Sequence, residues 1–395
     1  MNIRLEKIKL CPNLNLFNYH PPNMPQQISK AAAQFVTWYF DDTLPIWSEK
    51  IIDTAGGGFH EALDNNLTGI STNGKRVMVQ ARLCFTFAQA SCLGKGAKYH
   101  ALAKRGFKFL LSNAQNLEGG WRHKLAPDGA PLIDHQELYD QAFILFAAAW
   151  LHRAGIKEAR EVALSTQSFI DAEMSHPAGG FIEALKSNPG PRRQNPHMHL
   201  LEAYLAWSQS SDERIWRDKA AEIIDLFERF FVVDGTLREY FTDDWRPVPG
   251  DLGNITEPGH HFEWIWLLHQ FAKINGNLSP RHAELFDFVN CFGVDPLTGG
   301  VFDEVAADGA LLTNKRRLWP QTEALKAYHA CSVAGSHNTS SQLDNMLKSI
   351  WLQHLKGEIM GSWREHIGRR GDLIRSDNPG SSLYHLAMAA AELSP

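Results

Sequence analysis

The sequence predicts an all-α protein, an (α/α)6 barrel with short β-hairpins gathered on the active-site rim. Three observations carry that expectation. A glycine followed closely by an aromatic or large apolar residue recurs at positions 58, 120, 180, 235, 300 and 362, at intervals of 55 to 65 residues. Each recurrence precedes a segment long enough for a helix and apolar nearly all round. In five of the six units a more amphipathic segment comes next. Such self-similarity marks a repeat architecture in which each unit buries its apolar face against its neighbours.

The units open with Gly57-Gly58-Phe59, Gly119-Gly120-Trp121, Gly179-Gly180-Phe181, Asp234-Gly235-Thr236-Leu237, Gly299-Gly300-Val301-Phe302 and Gly361-Ser362-Trp363. Four continue into Asp64-Asn65-Asn66, Asp128-Gly129, Asp308-Gly309 and Arg370-Gly371. Asn and Asp beside Gly favour tight hairpin turns, because Gly accepts positive φ. The apolar segments then predict helices over Arg76–Ser91, His135–His152, Pro196–Ser208, Gly259–Lys273, Trp319–Ala334 and Ser381–Leu393. A helix with little polar surface is a buried one, and Ala142 to Trp150 is the extreme case. The amphipathic segments, such as Ala97–Ser112, Lys157–Ala172 and Ile215–Phe231, carry charges at the spacing of a solvent face. The amphipathic Gln26–Glu49 is expected to partner the sixth inner helix and close the ring. An open solenoid would carry polar end repeats, whereas the last inner segment stays apolar. One domain is expected over 1–395, with residues 1–25 an extension packed on the barrel.

Composition narrows the function. Among 395 residues, 39 Lys and Arg stand against 44 Asp and Glu, a net charge of −5. No basic run suited to phosphates is present, so nucleic acid is excluded as a partner. No apolar stretch approaches the roughly 18 residues of a membrane span, and Met1 to Pro25 lacks the order of a signal peptide. Five scattered cysteines (Cys11, Cys84, Cys92, Cys291 and Cys331) form no C-x-x-C pair, which argues against a disulfide framework and a Cys-based zinc site. The expectation is a soluble cytoplasmic protein, monomer or dimer.

The hairpins and inner-helix N-termini of such a barrel share one rim. The first turns there supply Arg82, Tyr139, Asp140, Asn195, His197, His199, Glu202, His260, Glu263, Gln321, Glu323 and His385. Ionisable residues are rare on buried helices unless paired or functional, yet here they gather at corresponding places in successive repeats. His260 and Glu263, three apart, are neighbours on one helix face, so Glu263 could orient the imidazole. Asn195, His199 and Glu202 can likewise share a face, while His197 and His261 turn away. Aromatic residues Phe59, Trp121, Trp264, Trp319 and Trp363 could anchor hairpins or stack on a sugar. Arg192, Arg193, Arg316 and Arg317 read as solvated loop charges.

A metal site from His197, His199, Glu202 and His260 is weakened by the i,i+2 spacing and the lack of H-E-x-x-H. Gly56-Gly57-Gly58 lacks the further residues of a nucleotide loop. No cofactor is therefore expected. Histidines, carboxylates, an arginine and aromatics suit proton transfer on a carbohydrate. The C2 proton of an open aldose is weakly acidic, because its carbanion delocalises as an enediolate. A base with pKa about 6–7 can remove it near neutral pH, and a cationic Arg beside the oxygens stabilises the developing charge. Return of the proton to C1 gives a ketose; return to the other face of C2 gives an epimer.

The strings Met78-Val79-Gln80-Ala81-Arg82, Asn195-Pro196-His197-Met198-His199, Glu257-Pro258-Gly259-His260-His261-Phe262-Glu263-Trp264, Trp319-Pro320-Gln321-Thr322-Glu323 and Leu383-Tyr384-His385 resemble the N-acylglucosamine 2-epimerase superfamily. The wording looks most like that of its bacterial mannose isomerases. The resemblance runs from about Gln26 to the C-terminus and implies the same barrel. It implies that His260 and His385 are the catalytic acid/base pair and that Arg82 binds a substrate oxygen. Asn195, His199, Glu263, Trp319 and Glu323 are then substrate-binding, with Glu263 also supporting His260. The chain departs at Met78, where some isomerase relatives carry Trp. The implied activity is cofactor-independent interconversion of D-mannose and D-fructose, with a monosaccharide as partner. A sugar 2-epimerase of N-acylglucosamine or cellobiose type and a sulfoquinovose-type isomerase are the alternatives. A glycoside hydrolase or a sugar-binding barrel is disfavoured. Which histidine moves the carbon-bound proton stays open.

Overall fold

A computed structural model describes residues 29–187, 190–357 and 359–394. The expected extension over residues 1–25 lies outside these. The chain begins with α1 (Lys30–Thr37), continued through a π-helical segment into α2 (Leu44–Lys50). Pairs follow: α3 (Val77–Cys92) with α4 (Ala97–Asn113), α5 (Leu138–Arg153) with α6 (Glu158–Phe169), and α7 (Gln194–Ser208) with α8 (Arg214–Leu226). After the short α9 (Asp251–Asn254) come α10 (Pro258–Asn275) with α11 (Arg281–Phe288), α12 (Leu318–Ala334) with α13 (Ser340–Ile350), and α14 (Gly380–Glu392).

The inner helices α3, α5, α7, α10, α12 and α14 pack side by side, and α14 returns onto α3. α1 covers α13 and α14. The ring is therefore closed, as the apolar last helix required. Burial explains the division of labour: nearly all of α3, α7 and α10 is buried, whereas α4 and α8 bury only one stripe. The outer helices α6, α8, α11 and α13 each end in a single π-helical turn.

Small antiparallel sheets stitch the rim. The two residues before each inner helix pair with the hairpin of the following unit: Lys75–Arg76 with Lys124–Leu125, Gln136–Glu137 with Ala184–Leu185, and Arg192–Arg193 with Tyr240–Phe241. The same holds for Ile255–Thr256 with residues of Glu304–Ala306, and for Arg316–Arg317 with His366–Ile367. Asn378–Pro379 closes the circle on Ala62–Leu63. The glycines before the anchoring residues are fixed by conformation as well as space. Gly120 has φ +67°, and a Cβ there would collide with the Phe169 ring.

A further device recurs in each unit. A polar side chain at the start of the inner helix bonds the backbone of the residue after the glycine turn. Gln80 does so at Phe59, Gln141 at Trp121 and Gln321 at Val301, each accepting from the N–H and donating to the C=O. In the third and fourth units histidine takes that place: His197 Nε2 accepts from Phe181 N at 3.0 Å and His261 Nε2 from Leu237 N at 3.3 Å. Asn378 serves Trp363. These groups satisfy backbone that would otherwise be buried without partners.

Candidate active site

The chemistry collects where the inner-helix N-termini meet the hairpins. His260, in the first turn of α10, is buried, and its Nδ1 lies 3.0 Å from both carboxylate oxygens of Glu239. Its Nε2 lies 3.2 Å from Asn195 Nδ2 on α7. Burial opposes a charge on His260, but Glu239 and Glu257 outweigh it and raise its pKa to about 9. The imidazole is thus a cation at neutral pH, and its Nε2–H is met by the Asn195 amide turned to present Oδ1, the amide atom otherwise buried without a partner.

His385, on α14, is held differently. Its Nδ1 is 2.8 Å from Glu323 Oε1 on α12, and Lys326 Nζ lies 2.6 Å from the other oxygen, Oε2. Burial, then the charges of Arg82 and Lys326, push His385 well below the ordinary histidine range. It is neutral, and donation from Nδ1 to Glu323 leaves Nε2 with the free lone pair. Trp319, only partly buried, touches both, its ring 5.1 Å from that of His260 and 5.7 Å from that of His385.

The floor is built from α3, α5, α7, α10 and α14. Arg82 donates to Tyr139 Oη at 2.9 Å and lies over the rings of Phe143 and Tyr384, 4.0 and 4.7 Å from their centroids. Stacking and one hydrogen bond fix the guanidinium without using its donors up. His199 Nδ1 is 3.2 Å from Glu202 Oε2, and Tyr384 Oη donates to Glu202 at 2.5 Å. Burial lowers the pKa of His199 to about 4, so it too is neutral. Glu263 is fully buried, and its Oε1 makes no hydrogen bond among the described residues. Burial and the neighbouring Glu323 raise its pKa well above the usual carboxylate range, so it is a neutral acid able to donate to a ligand hydroxyl.

The structure brings together Arg82, Asn195, His199, His260, Glu263, Trp319, Glu323 and His385, all the site residues expected from sequence. It corrects the partner of His260, which is Glu239 and not Glu263: the hairpin carboxylate reaches Nδ1, whereas Glu263 neighbours His199, 3.8 Å from its Nδ1. Glu323 is likewise the partner of the catalytic-candidate His385. His197 and Gln321 serve hairpins, so the metal grouping that included His197 is not assembled. Asp140 binds His123 and the backbone N–H of Met78. Phe59, Trp121, Trp264 and Trp363 are buried anchors, leaving Trp319 as the sugar-facing candidate. Arg192 and Arg316 are not solvated. Arg192 stacks on Trp245 and donates to carbonyls of Gly179 and Phe181, and Arg316 pairs with Asp295 at 3.0 Å. Arg193 and Arg317 are half-exposed but committed to Glu183, and to Glu257 and Asp303.

Sequence reasoning missed Glu239 and Lys326. The i,i+3 spacing of Glu323 and Lys326 on a largely buried helix was the available signal for the latter. Nothing local marks Glu239, which sits on a hairpin and meets His260 only through the fold.

Comparison with known proteins agrees with the fold. A model of the N-acylglucosamine 2-epimerase (GlcNAc 2-epimerase) family matches residues 57–389. The chain is 32% identical over 386 residues to a mannose-6-phosphate isomerase of Rhizobium meliloti, spanning 94% of this chain and 98% of that protein. It is 24% identical over 371 residues to a cellobiose 2-epimerase of Bacteroides fragilis, spanning 85% and 90%. A solved D-mannose isomerase superposes with a TM-score of 0.85 at 21% identity, covering 94% of this chain and 99% of the other. No helix among the described residues is long and apolar enough to cross a membrane.

Proposed function

The chain belongs to the N-acylglucosamine 2-epimerase family and is a sugar isomerase or epimerase, and from that premise we propose that it interconverts D-mannose and D-fructose through a cis-enediolate. The observation that carries the reading is the opposite charge state of the two histidines. Pairs of titratable groups whose surroundings drive their pKa values apart supply an acid and a base at one pH. Cationic His260 protonates the ring oxygen as the C1–O5 bond breaks, and the proton released by the C1 hydroxyl returns to His260, so that the aldehyde forms and the cation is restored. Neutral His385 takes the C2 proton and returns it to C1, while a proton moves from O2 to O1. Arg82 stabilises the negative charge that develops on the enediolate oxygens. Trp319 stacks on the sugar, with Asn195, His199 and Glu263 on its hydroxyls. The 32% identity to a mannose-6-phosphate isomerase supports mannose configuration. The commitment of Arg193 and Arg317 to carboxylates favours the unphosphorylated sugar over its phosphate.

Proton NMR of the protein with D-mannose in D₂O tests this. Fructose is expected, with deuterium at C1 to the extent that the proton held on His385 exchanges with solvent before it reaches C1. Glucose formed without fructose would establish 2-epimerisation instead, and turnover confined to mannose 6-phosphate would overturn the assignment of the neutral sugar.

The pH dependence follows from His260. Its folded pKa of about 9 exceeds the ordinary 6.5, so its contribution to stability is complete below about 6.5 and lost as pH rises through about 9. Activity needing the cation falls over the same upper range. Replacing Glu239 by Gln removes the main charge holding that pKa up, so the alkaline limb of kcat/KM should move to lower pH. An unmoved limb would show that Glu239 has no such influence.

A further inference from the structure

The C-terminal halves of the inner helices, at the end of the barrel away from the pocket, hold a cluster with no part in the chemistry above. His269 lies nine residues beyond His260 on α10, about 13 Å along the helix axis. His282 on α11 and Cys331 on α12 converge on it, and all three are buried. The two Nε2 atoms are 3.0 Å apart, and Cys331 Sγ is 3.5 Å from each of them. Ser336 Oγ, in the loop after α12, is 3.3 Å from His269 Nε2.

Hydrogen bonding accounts for only part of this set: one proton shared between the two facing Nε2 atoms joins the rings, and the Cys331 sulfur stands against both nitrogens besides. A ring nitrogen has either one proton or one lone pair, yet His269 Nε2 meets three polar atoms and His282 Nε2 meets two. A cation in the middle uses every lone pair at once. Tetrahedral zinc with Zn–N about 2.0–2.1 Å and Zn–S about 2.3 Å places N and S about 3.5 Å apart and two N about 3.3 Å apart. Both N···S edges already have that length, and the N···N edge needs to open by about 0.3 Å. Imidazole and thiolate donors together suit zinc, and exclude calcium and magnesium. Beside them His337, its ring 5.2 Å from that of His282, has a buried Nδ1 that makes no hydrogen bond among the described residues.

We propose that His269, His282 and Cys331 form a structural Zn²⁺ site joining α10, α11 and α12, with the fourth position supplied by Ser336 or His337 of the loop after α12. On binding, the Cys331 thiol proton leaves to solvent and the thiolate takes the metal. Both imidazoles bind as neutral ligands through Nε2, with their proton on Nδ1.

Titration of the chelator-stripped full-length protein with Co²⁺, followed by competition with Zn²⁺, tests the site. The expected result is one equivalent of Co²⁺ with strong tetrahedral d–d bands and a thiolate-to-cobalt charge-transfer band, all displaced by Zn²⁺. The charge-transfer band should vanish in Cys331→Ser, and one-equivalent binding should be lost in His282→Gln, while sugar turnover stays within twofold of the parent in Cys331→Ser. The sulfur band separates this site from the histidine–carboxylate groups of the sugar pocket, which hold no thiol. A wild-type protein that takes up no Co²⁺ or Zn²⁺ overturns the proposal. So does a charge-transfer band that survives in Cys331→Ser, which would place the metal on another cysteine. Thermal melting adds a readout independent of either variant: Zn²⁺ should raise the melting temperature of the stripped wild type, and no rise would count against a structural role.

Discussion

Replacing His385 by Asn is expected to lower kcat by about 10²–10⁴-fold, the range for loss of a general acid/base, and to stop deuterium entering the sugar at carbon. Asn can still donate to Glu323, which accepts from His385 Nδ1 at 2.8 Å in the parent, so the variant keeps the local bond and loses only the titratable nitrogen. The reason the effect should be large is that His385 is kept neutral by burial and by the charges of Arg82 and Lys326. No other neutral base touching Trp319 is available among the described residues. His260, which also touches that ring, is a cation and cannot accept a carbon-bound proton. Single-turnover assays on mannose with and without solvent exchange separate the roles. A variant that still exchanges C2–H with solvent, while making no ketose, would take the base role away from His385.

Lys326→Met is expected to destabilise the fold by about 3–5 kcal/mol near neutral pH, the cost of removing one partner from a buried charge pair. Lys326 is fully buried, 2.6 Å from Glu323 and over the Trp266 ring at 4.0 Å. Burial works against its charge, yet Glu323, Glu263 and Glu202 together raise its pKa, in that order of strength. Without the ammonium Glu323 and Glu202, the ionised members of the set, must protonate or repel one another. Their folded pKa values rise, so the deficit should shrink as pH falls and the acid forms take over. Urea unfolding at two pH values measures both the loss and its direction. A midpoint unchanged at neutral pH would mean that the carboxylates neutralise without cost, and would remove Lys326 as the centre of this network.

Much of the barrel was legible in the chain because its cause is local and repeated. Six glycine turns, six apolar helices and the alternation of buried with amphipathic segments fix the pairing of helices. Closure followed from the apolar face of α14, which needs a neighbour on both sides. The histidines at 260 and 385 and the arginine at 82 could be picked out because polar residues on wholly buried helices stand against their background. The rim arginines could not be sorted in the same way. Arg192 and Arg193 are adjacent, yet one is buried under Trp245 and the other half-exposed on Glu183, because successive residues of a strand point to opposite faces.

The amino-acid order by itself therefore determined the ring, the rim on which the site lies and the residue types available there, since periodic burial is written into each helix. Only the tertiary structure decided which carboxylate meets which histidine. Glu239 and His260 are 21 residues apart, and Glu323 and His385 are 62 apart, and no helix or strand period links such positions. Charge state follows those surroundings: His260 becomes a cation because Glu239 and Glu257 outweigh its burial, whereas burial and then Arg82 and Lys326 keep His385 neutral in spite of Glu323.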